Sequence, residues 1–416
     1  MTYDTVVIGA GLAGLTAALR LAEEGQRVGV FAKGVGATHL APATIDVLGY
    51  SDGPVDSPAT ALPQLASARA SHPYASLPVD VVRESLDWFR MRLGDHGYQG
   101  GLERNFLLPT AVGAAKPTAL IPETMVAGDL RNGGRFVFVG LRGLKDFYAA
   151  LLADNAQRAA PGVRARAIHV SPPLGTARDL GSAGFARRFE EPAFRDAIVS
   201  AVAPRLVVGE RVGFPAVLGG VAAPEVWRDL ETRLGHPVFE VPTLPPSVTG
   251  FRVYETMTRA LRGQGSRLVI GSTVTGAETR EGRIEGVVTQ TAGRPLTYRA
   301  RSFVLASGGF ASGGLELDES GKVRETAFDL PVAGVPGPGE PRFGPRYFHE
   351  HGLSRAGLAV DAERRPVDGS ETPVYENLYA AGATLGGAVP WREGSGNGLS
   401  LASGYAAASA ILREDS

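Results

Sequence analysis

Residues 3–34, YDTVVIGAGLAGLTAALRLAEEGQRVGVFAKG, leave this chain few folds to choose from. An apolar run at 5–8 is followed by Gly9, Gly11 and Gly14, then by an amphipathic stretch at 12–24 and a second apolar run at 27–31. The order strand, tight turn, helix, strand gives weight to a G-x-G-x-x-G that would mean little alone. Gly9 permits the turn, Gly11 lets backbone approach a pyrophosphate or phosphate, and Gly14 lets helix and strand pack closely. The N–H groups at the helix start favour an anion. In most such units an acidic residue about 20 residues further on accepts the adenosine ribose hydroxyls. Here that position is Ala32, followed by Lys33 and Gly34, and nothing there can accept those hydrogen bonds.

The 416 residues have material for more than one domain and a large core. The 42 basic and 43 acidic residues nearly cancel, which argues against nucleic acid or an anionic membrane as the main partner. No window approaches about 18 uninterrupted apolar residues, so no bilayer span is expected. The first residues run directly into a strand without a basic n-region or cleavage site, which leads us to expect a cytoplasmic protein. The chain has no cysteine. Disulfides, thiolate catalysis and cysteine-ligated iron–sulfur clusters are therefore excluded within it, and a one-electron relay would belong to another polypeptide.

Pro- and Gly-rich punctuation at 51–63 closes the first unit, and 67–94 reads as helical with an interruption at 72–78. A strand at 136–139 and a helix at 144–157 repeat the strand-to-helix pattern without its glycine signature. From 167 to 241 prolines are frequent and one helix is clear, at 224–234. After TLPPSVTG (243–250) come a helix at 251–261, several strands separated by REGR, the buried strand of SFVLASGGF, and finally ENLYAAGATLGG and an Ala-rich helix. These signals predict an α/β fold: a Rossmann-like parallel sheet with an antiparallel meander, built from 1–75 and 243–416. An α+β capping domain, 76–242, is inserted in it.

Three separated segments, the glycine loop, VLASGG (304–309) and the NLYAAG…GNGL…ASGYAA block (377–407), together resemble the flavin-binding domain of the fumarate reductase and succinate dehydrogenase flavoprotein superfamily. Within it, HLAPATIDVLG, HPY, TLPPSVTG and LASGGFASGGL make the chain similar, over nearly its whole length, to the family of B subunits of anaerobic glycerol-3-phosphate dehydrogenases. The resemblance implies a flavoprotein subunit of a complex that oxidises sn-glycerol 3-phosphate to dihydroxyacetone phosphate and passes electrons to quinone. It implies a catalytic A subunit carrying FAD and a C subunit carrying iron–sulfur clusters and the membrane attachment. The B subunit would then be peripheral to the inner membrane through its partners. It also assigns FMN to the B subunit. FMN lacks the adenosine ribose, so Ala32 favours it, with FAD held through water or backbone as the alternative.

On the same resemblance the flavin is expected against Gly9, Gly11, Gly14, Lys33, Gly34, Thr38, His39, Ala306, Ser307, Gly308, Gly309, Gly382, Ala383, Asn397, Gly398 and Leu399. Gly398 stands where the superfamily has serine, and Ala383 where it often has glutamate. His39 lies close to where members with covalent flavin place their attachment histidine; a non-covalent contact is expected. His39 and Arg252 are the catalytic candidates. Arg252 follows Ser247 and Thr249, either of which could cap a helix, and it could meet an anion there or simply be solvated. The i, i+2 spacing of His349 and His351 does not put both on one helical face, so no metal site is expected. Two other readings stay open. One is an electron-transfer subunit without a substrate of its own; the other is a stand-alone fumarate-reductase-like or ketosteroid-dehydrogenase-like enzyme.

Overall fold

The computed structural model describes residues 2–175, 180–290, 293–337 and 339–415. β1 (Thr5–Ile8) and β2 (Val28–Ala32) flank α1 (Leu12–Glu23), and every residue of both strands is buried. Parallel strands covered on two faces require this. α2 (Pro58–Ala68) and α3 (Val79–Arg92) follow. The short strands β3 (Tyr98–Gly100), β4 (Phe106–Pro109), β5 (Ala115–Thr118) and β6 (Leu120–Pro122) make two antiparallel pairs, β3 with β6 and β4 with β5.

A second sheet comes next. Its chain order is β7 (Gly134–Leu141), α4 (Ala149–Ala159), β8 (Val163–Val170), α5 (Ser182–Glu190), α6 (Pro192–Val202), β9 (Glu210–Pro215), α7 (Ala223–Leu234) and β10 (Val238–Val241). The strands lie in the order β10-β9-β7-β8, all parallel. The inserted segment thus combines a parallel sheet with small antiparallel pairs.

α8 (Val248–Gly263) and β11 (Arg267–Ile270) return the chain to the first sheet. β12 (Thr273–Arg280), β13 (Arg283–Gln290) and β14 (Leu296–Arg299) form the expected meander, and β15 (Ser302–Leu305) re-enters beside β1. After β16 (Leu315–Leu317), β17 (Val323–Glu325) and β18 (Leu378–Ala380), the short α9 (Pro390–Glu393) leads into α10 (Gly396–Glu414). The completed sheet is β11-β2-β1-β15-β18, parallel throughout.

The alternation of strand side chains divides the core in two. Val7, Val30 and Val304 face α1, α8 and α10, while Val6, Ile8, Phe31, Phe303 and Leu305 face Val274, Ile284, Val287 and Tyr298 of the meander. Val82, Leu86 and Phe89 of α3 belong to the first of these cores. The helix therefore packs with the first sheet, although it lies beyond the boundary expected at residue 75. Other differences have local causes. α8 starts at Val248 because the Ser247 hydroxyl accepts the Gly250 N–H at 3.1 Å, an N-cap. The stretch that reads as proline-rich holds α5 and α6, with Phe185, Phe189, Phe194, Ile198 and Val202 buried. Pro192 opens α6 at its first position, where a missing N–H costs nothing.

Candidate functional site

A cavity of about 1060 Å³ opens at the carboxyl ends of β1, β2 and β15, where open parallel sheets place their ligands. The glycine loop forms one wall, and each glycine has a different physical reason to be there. Gly9 has φ +114°, and a Cβ on it would lie 2.2 Å from the Ala306 carbonyl oxygen. A Cβ on Gly14 would lie 2.1 Å from the Gly9 oxygen. These two set strand, turn and helix together. Gly11 differs: it lines the cavity, and a Cβ there would meet nothing within 4 Å. No side chain caps α1, so its first N–H groups are left for a ligand, with the helix dipole behind them. Gly36, missed in the sequence, matters equally: its φ is +74° and a Cβ would come 2.6 Å from the Gly11 Cα.

Three hydroxyls on the cavity wall, Thr38 Oγ1, Ser272 Oγ and Ser307 Oγ, are buried without a hydrogen-bond partner. Such groups cost free energy unless something satisfies them. An extended polar ligand fits this set, because the glycine loop offers N–H donors and the hydroxyls lie around it. Ser272 stands out. Its N–H donates to the Ala32 carbonyl at 3.0 Å, which puts its hydroxyl beside the position where the ribose-binding carboxylate is missing.

Of the residues expected at the flavin, Gly9, Gly11, Lys33, Gly34, Thr38, Ala306, Ser307, Gly308, Gly382, Ala383 and Asn397 line this cavity. Gly14, His39, Gly309, Gly398 and Leu399 stand behind it. Gly398 packs so tightly on the loop that a Cβ would lie 2.6 Å from the Val47 Cα, and its N–H donates to the Asp46 carbonyl. The serine usual at this position would not fit. Leu399 is core, and a Cβ on Gly309 would meet the Ala383 oxygen at 2.9 Å.

Neither catalytic candidate reaches the cavity. His39 stacks edge-on to Tyr254, with ring centroids 4.6 Å apart, and lies 5.5 Å from the Phe251 ring. Burial holds its imidazole below the ordinary value against the pull of Glu255. His39→Ala is expected to cost ~1 kcal/mol of stability through lost packing and to leave cofactor affinity unchanged. Titration of the apoprotein checks this; a weakened Kd would return His39 to the site. Arg252 is 4% exposed, and four of its five N–H donors are taken. Nη1 and Nη2 lie 2.6 and 2.8 Å from the Glu240 carboxylate, and Nε and Nη2 donate to the Gly219 carbonyl. In place of the solvated or anion-binding arginine expected from the sequence, Arg252 is a buried pin between α8 and β10.

The family model described as FAD binding domain matches residues 4–399. The chain is 34% identical, over 98% of its length and 97% of the relative's, to a Halobacterium salinarum protein named as the B subunit of a probable anaerobic glycerol-3-phosphate dehydrogenase. It is 32% identical, over 100% of its length and 99% of the relative's, to the B subunit of the anaerobic glycerol-3-phosphate dehydrogenase from Pectobacterium carotovorum. Among solved structures, the 3-ketosteroid Δ1-dehydrogenase of Sterolibacterium denitrificans aligns over 99% of this chain and 100% of its own, with 15% identity and a TM-score of 0.47. Matched by the FAD binding domain over residues 4–399 and by these relatives from end to end, the chain is a flavin-binding oxidoreductase that belongs to the family of anaerobic glycerol-3-phosphate dehydrogenase B subunits.

Proposed function

We propose that this chain is the flavin subunit of a quinone-linked complex that oxidises sn-glycerol 3-phosphate to dihydroxyacetone phosphate, and that its flavin is FAD. The observation that carries the cofactor reading is the reach of the cavity. It continues from the glycine loop past Ala32 and Lys33 to Ser272, Thr273 and Val274 at the head of the meander. FMN, its phosphate at the start of α1, would leave that end empty. An adenosine half would fill it, with the orphaned Ser272 hydroxyl supplying the ribose contact that Ala32 cannot. Ala32 favours FMN only if the acceptor must lie on β2 itself.

Bound flavin supplies a two-electron acceptor that can pass electrons on singly. Gly11 and the start of α1 would hold its phosphates, and Asn397 and Ala383 would border the end nearest α10. The chain has no cysteine, so a cysteine-ligated iron–sulfur relay would sit in a partner C subunit and a second flavin in a partner A subunit. Among the described residues no helix is long and apolar enough to cross a membrane; the proposal places the chain at the cytoplasmic face, held there by its partners.

Mass analysis of the cofactor released on denaturation tests the first half, with FAD expected. Ser272→Val should weaken FAD binding about tenfold, the worth of one hydrogen bond to a buried hydroxyl, and leave FMN binding to the apoprotein unchanged. Equal losses for both flavins would remove Ser272 from an adenosine subsite. Glycerol 3-phosphate:quinone reductase activity, measured with the chain alone, with each partner and with all three, tests the second half. Turnover is expected only on assembly.

A further inference from the structure

The loop from Arg342 to His351 holds large aromatic side chains out in solvent: Phe343 is 63% exposed, Tyr347 84% and Phe348 80%. Contiguous apolar exposure of this kind marks an interaction site. The loop has a fixed shape. His351 accepts the Gly344 N–H on Nδ1 at 2.8 Å and therefore donates from Nε2 to the Tyr347 carbonyl at 3.1 Å, so a single imidazole closes the loop from both sides. The Phe343 ring packs on that imidazole with centroids 6.0 Å apart, and Tyr347 and Phe348 meet edge to face at 5.0 Å. Glu350 fastens the loop to α9. Its carboxylate takes Arg355 Nε and Nη2 and lies 3.8 Å from Arg392 Nη1, which brings the neighbouring Trp391, 57% exposed, to the same face.

Charge and position bear on what covers this face. Arg342, Arg346, Arg355 and Arg392 stand against two carboxylates, Glu340 and Glu350. The Arg355 hydrogen bond, against burial, and then the charges of Arg392 and Arg69 hold the Glu350 carboxyl below its ordinary value. Exposed aromatics among arginines have the composition of interface anchors, and the excess of cations calls for an acidic partner. The face also lies close to the cavity. The Gly387 N–H donates to the Arg355 carbonyl at 2.8 Å and Arg355 Nη1 returns a hydrogen bond to the Gly387 carbonyl at 2.9 Å, which ties the loop to the segment that leaves the cavity wall at Ala383. Trp391 precedes Asn397, also on the wall, by six residues. Even fully extended, six residues reach only about 20 Å, and Pro390–Glu393 is helical. The chain has no cysteine, so a cysteine-ligated electron carrier has to approach that end of the cavity from outside.

We propose that the aromatic loop around Phe343, Tyr347 and Phe348, together with Trp391, is the docking face for the iron–sulfur partner subunit, which meets it with acidic side chains around an apolar surface. The inference rests on the reading of the chain as one subunit of a complex. A lipid surface is the other partner that takes aromatics and arginines, and shape decides against it. A depression of about 480 Å³, walled by Val335, Pro336 and Pro341, opens beside the loop, where the Leu353 N–H holds the Arg342 carbonyl. Projecting rings next to a hollow suit a partner that has side chains of its own to insert. A bilayer has none.

The test is binding of the flavin-loaded full chain to the purified iron–sulfur subunit, with the A subunit and phosphatidylglycerol vesicles as the other probes. Wild type should bind the iron–sulfur subunit, and more weakly as salt rises. Tyr347→Ser combined with Phe348→Ser should raise that Kd about a hundredfold. Arg346→Glu should also raise it and flatten the salt dependence. Because all three side chains are exposed, flavin content, melting temperature and binding to the A subunit should stay at wild-type values. Wild-type affinity of the double variant for the iron–sulfur subunit overturns the proposal. So does a double variant that loses the A subunit and keeps the iron–sulfur subunit, and so does vesicle binding by the wild type that the double variant lacks, which would give the face to the membrane. A wild-type chain that binds neither subunit overturns the reading as a complex and this inference with it.

Discussion

Gly11→Val is expected to abolish flavin binding while leaving the apoprotein's thermal transition close to that of the wild type. The expectation follows from the contrast among three glycines of one loop. At Gly11 φ is −77°, a conformation open to any residue, and an added Cβ meets no protein atom within 4 Å. The side chain costs the fold little. It projects into the space where the start of α1 would receive the cofactor phosphates, and the N–H groups there can serve a phosphate only if backbone can approach it. Gly9→Ala and Gly14→Ala should behave in the opposite way. Each would drive a methyl to within about 2 Å of a backbone oxygen, which rotamer changes cannot relieve, and Gly9 adds the strain of a non-glycine residue at φ +114°. Those two should lose ~3 kcal/mol or more. Flavin absorbance per chain, set against melting curves of the three apoproteins, separates the classes. A Gly11→Val chain that retains full flavin would place the cofactor elsewhere.

The same contrast shows why part of this molecule can be read from its residues and part cannot. The first βαβ unit is legible because its demands are local. A turn that needs positive φ, a helix that must approach a strand and a backbone that must face a ligand each require glycine at a fixed offset. The return strand SFVL and the final helix are legible for the same reason. The inserted segment is legible only in part: the strand at 136–139 and the helices at 144–157 and 224–234 correspond to β7, α4 and α7, but α5 and α6 are short and abut at Pro192. Their apolar residues Phe185, Phe189, Phe194, Ile198 and Val202 have helical spacing, but the surrounding prolines obscure it.

The site divides along the same line. The places of the glycine loop and of Ala306 to Gly308 on the cavity wall follow from sequence, since the element that carries them is recognisable. Ser272 cannot be. Its N–H meets the Ala32 carbonyl from just beyond a neighbouring strand, far along the chain, and only the β2–β11 pairing brings the two together. Lys116 and Asp46 are likewise joined across the seam between the inserted segment and the segment that follows β2. His39 and Arg252 show the converse: each sits beside the site in sequence, but the His39 ring packs on Phe251 and Tyr254 and Arg252 pairs with Glu240.

Breaking the Arg252–Glu240 pair is expected to destabilise the protein by about 3–5 kcal/mol, more than any other single polar substitution considered above. Both side chains are at most 5% exposed, and their remaining hydrogen-bonding capacity is met by the Gly219 carbonyl, the Leu218 N–H and the Thr124 hydroxyl. Arg252→Met leaves a carboxylate buried with no cation, and Glu240→Gln leaves a guanidinium buried with no anion. Either orphan carries the full cost of desolvation. Replacing both, as Arg252→Met with Glu240→Leu, removes the charges together and should recover much of the loss, since a buried pair is worth far less than the penalty for halving it. The pH dependence has a definite sign. Burial alone would raise the Glu240 carboxyl, but Arg252 and the hydrogen bonds from Leu218 and Thr124 outweigh it and hold the group below its ordinary value of 4.5. A carboxyl depressed in the folded state contributes stability that is full above its unfolded value and is lost as pH falls through the folded one. The wild type should therefore hold a constant contribution from this pair at neutral pH and begin to lose it only below about pH 4.5. In the double variant that part of the acid-induced loss should vanish. Urea unfolding of the four proteins at neutral and acid pH, analysed as a double-mutant cycle, measures both effects. Additive single losses would mean that the pair does not act as a unit, and that the seam between α8 and β10 is held by its apolar contacts instead.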